Sequence, residues 1–300
     1  MKQRMITLLL LGAMVAVLSL SEQAAQAVRQ GLQLCASSVI PALFPFLVLS
    51  GLLTTLGSTD LLGRPLQRLL QRLFGCSPQG VNVFLLGLLG GYPLGARMIG
   101  QLLHERRLAA EEAQRLLRFC NNAGPAFILG LVGLGRFGRL SVGVWLYAIH
   151  VSAAACIGLF LRKKREDAPP PLPAPPPKSF SAALVDSVCA AGGSMVQICS
   201  FVVFFITLLH LFSSLSGIHH PLVLGIIELT NGILQLDDSR SGFWMAAALL
   251  GWGGLSVHFQ TVAVLPRQEI HFLPYFYTKC VHALLSFLLA VPISFFLFPN

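Results

Sequence analysis

The stretch GGYPLGARMIG, residues 90–100, sets a glycine pair, a proline and an arginine inside a hydrophobic run. A plain membrane helix avoids all three, because glycine and proline weaken helical backbone and a charge in hydrocarbon is costly. Pro93 suits the first turn of a helix, where its missing N–H removes no bond, and Gly90 with Gly91 can adopt the angles of a reversal. The stretch therefore reads as a chain reversal followed by a half-helix. An arginine one turn into that half-helix costs about 3 kcal/mol or more unless it is paired, lines a cavity or snorkels to the interface.

The surroundings place this reversal in a membrane. The chain has 300 residues, 55% hydrophobic and 11% charged, with a mean hydropathy of +0.73, far from soluble averages. Apolar runs occupy 6–20, 31–56, 81–103, 119–134, 141–161, 182–212, 221–236, 242–265 and 272–298. A full span needs about 20 residues, so some runs cross and others fall short. The net charge of +9 sits in the gaps between runs, as topology signals do. The partner that this composition demands is a lipid bilayer, and nucleic acid is not expected.

Other chemistries lack their residues. The seven cysteines are scattered without a CxxC pair and the eight histidines lack ligand spacing, so no metal site is expected. The chain has no GxSxG elbow, Walker A sequence or HExxH. Neither catalytic residues nor a cofactor are expected.

The first 27 residues have a basic start, an apolar core and an Ala-x-Ala ending, which fits a cleavable signal. A retained first helix is favoured, because another hydrophobic segment follows. Either reading starts the chain in the cytoplasm and puts Glu22 outside.

The stretch RKKREDAPPPLPAPPPK, residues 162–178, divides the chain. Its basic cluster marks the cytoplasmic face. Its proline-rich ten residues form a semi-rigid strut of roughly 30 Å at about 3.1 Å per residue. The expected organisation is a first transmembrane half at 1–161, a linker at 162–180 and a second half at 181–300. A weak repeat supports two related halves: LLGLLGGYPLG aligns with ALLGWGGLSVH, and RFCNNAGPAFILGLV with TKCVHALLSFLLAVP. Gly91 then pairs with Gly254, and Cys120 with Cys280.

Two connecting segments complete the expected topology. LLGRPLQRLLQRLFG sets Arg64, Arg68 and Arg72 opposite Leu62, Leu66, Leu69 and Leu73, as a helix lying along the interface does. HERRLAAEEAQRLLR carries Glu111 four residues before Arg115 and reads as a solvated connecting helix. With both on the cytoplasmic face, 81–103 enters and leaves on one side as a broken hairpin. The run 119–134 then crosses outward and 141–161 returns.

Further breaks follow the same grammar. In FCNNAGPAFILG, Asn122 or Gly124 can cap a helix that Pro125 opens. In GIIELTNGILQL, Glu228 is a carboxylate well inside an apolar run, followed by Thr230, Asn231 and Gly232. It serves as a proton-coupling group, a partner for Arg97 or Lys279, or a protonated structural residue. GWGGLSVHFQ adds Ser256, His258 and Gln260 at alternating positions, and a lone histidine in such a run is usually a satisfied core residue. A helix start inside a membrane exposes unpaired N–H groups and partial positive charge, a cost that an anion offsets.

The blocks GGYPLGARMIG, EEAQRLLRFCNNAGPAFILG, LGIIELTNG and GGLSVHFQ resemble the sporulation integral membrane protein YlbJ family, with its Gate or nucleoside-recognition type segments. The likeness runs nearly end to end, and its first two blocks are the more specific. It implies a role in late sporulation in the bacterial membrane around the developing spore, the outer forespore membrane, and passage of dipicolinate, a small aromatic dianion, towards the spore. The proline-rich strut is outside the family's pattern.

The expected protein is thus all-α and polytopic, with discontinuous helices from two halves meeting near the midplane around a small anionic solute. Gly91, Tyr92, Pro93 and Gly95 shape the first half-helix start, with Tyr92 offering a ring for stacking. Arg97 supplies charge, and Asn121, Asn122, Gly124 and Pro125 form the second start. Glu228, Thr230, Asn231, Ser256 and Gln260 complete the site. The alternatives are a nucleoside-type carrier and a non-transporting scaffold of the sporulation membrane. Homo-oligomerisation and sporulation membrane partners are left open by the residues.

Overall fold

A computed structural model describes residues 2–56, 63–163, 179–266 and 270–299. The proline-rich strut lies outside the described residues, as does Leu62 of the expected interfacial helix. The described regular structure is entirely helical. Among the described residues, four helices are long and apolar enough to cross a bilayer: Ser21–Leu53, Leu140–Phe160, Phe180–Ser216 and Phe272–Leu297.

In chain order, α1 (Lys2–Ser19) leads into a long rod made of α2 (Ser21–Leu34), a π-helical stretch Cys35–Val39 and α3 (Ile40–Thr55). Then α4 (Gly63–Phe74) meets α5 (Pro78–Gly90) at an angle of 94°. That is the geometry of an in-plane helix beside one that enters the membrane. Leu66, Leu69 and Leu73 of α4 are exposed, as a lipid-facing stripe requires. At the corner, Ser77 Oγ accepts from Gly80 N at 3.1 Å and Pro78 occupies the first turn, which starts α5.

A helical hairpin comes next, since α6 (Leu94–His104) turns back along α5. A Cβ built on Gly87 would lie 3.3 Å from the Gly95 Cα, an approach that only small residues permit. α7 (Ala110–Cys120) and the π-helix Ala126–Arg136 form a broken crossing, and α8 (Leu140–Phe160) returns. The expectation that residues 104–118 form a solvated connector is corrected here. α7 is half of a crossing: Ala113, Leu116, Leu117 and Cys120 make a fully buried stripe, and Glu112 and Arg115 are buried with it. The expected Glu111–Arg115 pair is not formed. Arg115 donates instead to the Phe74 and Gly75 carbonyls at 3.2 and 2.7 Å, while Glu112 Oε1 accepts from Ser77 N at 2.6 Å.

The second half begins with α9 (Phe180–Ser216), capped by Ser179 and closed by Gly217 at φ +71. Next are α10 (Pro221–Ile227) and α11 (Leu229–Leu234), then α12 (Arg240–Trp252), α13 (Gly254–Ala263) and α14 (Phe272–Leu297). The α10–α11 hairpin is so tight that a Cβ on Gly232 would overlap the Gly225 backbone.

The two ends of the molecule fix the direction of every element. One face gathers residues 74–77, Glu112, Arg115 and Lys163, with Gln114 paired to the His271 backbone through both its amide atoms at 2.7 Å. The opposite face joins Arg139 to Asp238 and the Leu297 carbonyl, and Arg240 to the Phe298 carbonyl. Arg68, Arg72, Arg106, Arg107, Arg118 and Arg162 also belong to the first face, and the positive-inside bias makes that face cytoplasmic. The expected hairpin at 81–103 does enter and leave on that side. α9 runs antiparallel to the α2–α3 rod, with Gly31 against Val203 and Gly51 against Ser187. Lipid gives helices no hydrophobic reason to associate, so such small-residue contacts supply close packing instead.

An order emerges from these directions. Each half consists of a long rod, a re-entrant hairpin, a broken crossing and a closing helix, and the second half runs the series in the opposite sense across the membrane. This correspondence sets Gly91 against Glu228 and the break at Asn121–Pro125 against that at Gly253. The register read from the sequence differs: it aligned residues 118–132, which contain a break, with 278–292, which lie inside the continuous α14. Leucine-rich composition made the two segments alike where geometry does not.

Candidate substrate site

The four breaks meet at the centre. Within the first half, Gly91 at φ +75 lies so close to the second break that a Cβ on it would sit 2.8 Å from the Gly124 nitrogen. Within the second, a Cβ on Gly254 would lie 2.9 Å from the Leu229 nitrogen. Tyr92 ties the halves together, its hydroxyl donating to the Leu250 carbonyl at 3.2 Å. The Tyr92–Pro93 peptide is cis.

Beside Tyr92 lies a small cleft of about 50 Å³ between the halves. Its walls are Val39 and Leu43 from the first rod, Ile198 and Val202 from α9, residues of the first three breaks, and Val257 and Gln260 from α13. Of the residues expected to form the site, Tyr92, Gly124, Glu228, Thr230 and Gln260 line this cleft. Ser256 stands behind it, its hydroxyl accepting from Gln260 Nε2 at 3.2 Å one helical turn away. Gly95 packs on the Cys120 carbonyl, Pro93 is the residue before α6, and Pro125 the residue before the π-helix. These positions shape the crossing point without facing the cleft.

Three expectations are revised by the geometry. Arg97 turns away from the cleft and is exposed, donating to the Ala190 carbonyl at 3.2 Å and to the Ser194 hydroxyl. It fastens α6 to α9. Glu228 pairs with neither Arg97 nor Lys279: its carboxyl oxygen accepts from Asn231 N at 2.7 Å and caps α11, so that helix start already has an acceptor. Asn231 itself is half-buried and accepts from Gln235 Nε2 at 3.0 Å. The amides of Asn121 and Asn122 donate to Thr261 Oγ1 and to the Phe119 carbonyl, both at 2.7 Å, leaving their Oδ1 atoms without a partner among the described residues.

Behind Tyr92 is a cluster built on Lys279, which the sequence suggests only as a partner for Glu228. Lys279 of α14 is fully buried, and its Nζ donates to the Asn121 carbonyl at 3.2 Å and lies 3.2 Å from His282 Nδ1. The Tyr92 ring centre is 5.5 Å away. Among the described residues, no carboxylate pairs with Lys279. His282 stacks on His150 of α8 with ring centres 4.6 Å apart, at the seam where the two closing helices meet. His258, expected to be a satisfied core residue, bonds Tyr275 Oη through Nδ1 at 3.0 Å while its buried Nε2 has no partner. One signal was present in the sequence: Lys279 and His282 are ionisable groups three residues apart inside the last apolar run.

Residues 36–159 match the Gate family, described as nucleoside recognition. That segment covers most of the first half of the inverted pair. The chain is 26% identical over 308 residues to the sporulation integral membrane protein YlbJ of Bacillus subtilis (strain 168), covering 88% of this chain and 76% of the relative. The two likenesses bear out the resemblance to the YlbJ family. No solved structure matches the chain.

Proposed function

We propose that this integral membrane protein, a relative of YlbJ with a Gate segment, is a carrier that moves a small organic anion between mother cell and spore. By the same kinship the solute is dipicolinate and the membrane the outer forespore membrane. The observation that carries the reading is Lys279, a buried amine without a carboxylate partner among the described residues, at the point where four helix breaks meet. Charging this amine unpaired would be strongly unfavourable, and a solute carboxylate removes that cost. Tyr92 stands between Lys279 and the cleft, so a planar aromatic acid has a ring to stack on as it reaches the amine. Re-entrant hairpins entering from opposite faces supply two gates around one site, and rocking of one half against the other would expose it to each side in turn.

A nucleoside-type carrier is the second reading, favoured by the cleft walls themselves. Glu228, Thr230 and Gln260 offer hydrogen bonds to an uncharged sugar or base, and the cleft lining contains no cation. Vesicles reconstituted with the protein and offered radiolabelled dipicolinate and uridine separate the two. Accumulation of dipicolinate supports the anion carrier, uridine alone supports the nucleoside carrier, and neither returns the protein to a scaffold role.

A further inference from the structure

The hydrogen bonds around Lys279 define how many protons the resting site accommodates. His282 Nε2 faces the His150 carbonyl at 3.1 Å, which can only accept, so this nitrogen carries the hydrogen and Nδ1 is left to accept from Lys279. The second acceptor for Nζ is the Asn121 carbonyl. Two acceptors match the two N–H groups of a neutral amine. An ammonium brings a third N–H, and among the described residues Lys279 has no third acceptor, only the Tyr92 ring.

Other groups around the site do not supply one. His150 Nε2 accepts from Ala123 N at 3.1 Å, so the hydrogen of this neutral ring is on its unpartnered Nδ1. On α14 itself, Tyr275 is held by His258 of α13, and Thr278 by Arg118 of α7 at 2.9 Å. Glu228 stands in the cleft wall with Tyr92, occupied in capping α11.

We propose that Lys279 takes up a proton and a solute carboxylate together, making the protein a proton–anion symporter. This rests on the anion-carrier reading and adds its coupling. On loading, a hydronium ion from the aqueous side gives up a proton and leaves as water; that proton forms the third N–H bond of Nζ, which donates a hydrogen bond to the carboxylate. On release the same N–H bond breaks, and proton and anion leave on the far side. A dianion then crosses with one unit of its charge offset. The two histidines and the Asn121 carbonyl hold Nζ in place and stay unchanged in charge. Because each ligand favours the other, anion affinity weakens as pH rises.

The test uses the purified full chain in detergent, weakly buffered with a pH indicator, to which dipicolinate is added. The expected result is uptake of about one proton per anion bound, and an affinity that falls by up to about tenfold per pH unit. Lys279→Arg, which keeps its charge, should bind the anion without taking up a proton and with a flat pH profile. Pyridine-2,6-dicarboxamide, of the same shape without charge, is a control on the unaltered protein and should release or take up no protons. Dipicolinate binding without proton uptake, or equal uptake with the diamide, overturns the symport. Absence of dipicolinate binding alongside binding of uridine overturns the anion-carrier reading instead.

Discussion

Arg97 and Lys279 show what a sequence can and cannot say about a charge in a membrane segment. Both lie in apolar runs and both are costly there. Arg97 is the more conspicuous, flanked by glycines and a proline, and its position one turn into a half-helix made it a natural anion ligand. In the structure its long side chain reaches α9 and meets a backbone carbonyl and a serine hydroxyl. Which way a side chain leaves a helix depends on the neighbouring element, and the α6–α9 contact joins residues 93 and more positions apart. Arg97→Gln should therefore leave the affinity for dipicolinate unchanged while lowering stability by about 1–2 kcal/mol. Binding titration and thermal unfolding in detergent check the two halves of that statement. A large loss of affinity with unchanged unfolding would restore Arg97 to the site.

At the scale of elements, the breaks were legible and their occupants were not. Glycine, proline and asparagine within apolar runs located the tips of both hairpins and both broken crossings, because backbone rules are local. What fills each helix start is a tertiary matter. Glu228 caps α11, and the carbonyl of Asn121 faces Lys279, so the amide-rich ends are less open than the sequence implied. The charged stretch before residue 118 was misread because its buried stripe is only one side of the helix, and the carboxylate and guanidinium beside it bond backbone rather than water. Glu228 and Lys279 also separate as candidates for proton coupling. Glu228→Gln should keep the pH dependence of uptake that Lys279→Arg abolishes. Glu228→Ala should cost about 1 kcal/mol, the usual loss for a missing cap, seen as a lower unfolding midpoint. A flat pH profile in Glu228→Gln would transfer the coupling role to the carboxylate.

Across the whole molecule, the inverted pair of halves brings the same series of elements to the centre from each face. The register between the two halves is not legible in the sequence, because hydrophobic composition is nearly degenerate among lipid-facing helices. Helix directions settle it, through the Gln114–His271 contact at one end and the Arg139–Asp238 pair at the other. The stacked His150 and His282 mark the seam where the closing helices of the two halves touch. A structure determined with dipicolinate bound tests the central claim most directly. The account predicts the pyridine ring against Tyr92, with one carboxylate about 3 Å from Lys279 Nζ. Dipicolinate found only at Arg97 or at the cytoplasmic arginines, with the crossing point empty, would contradict it.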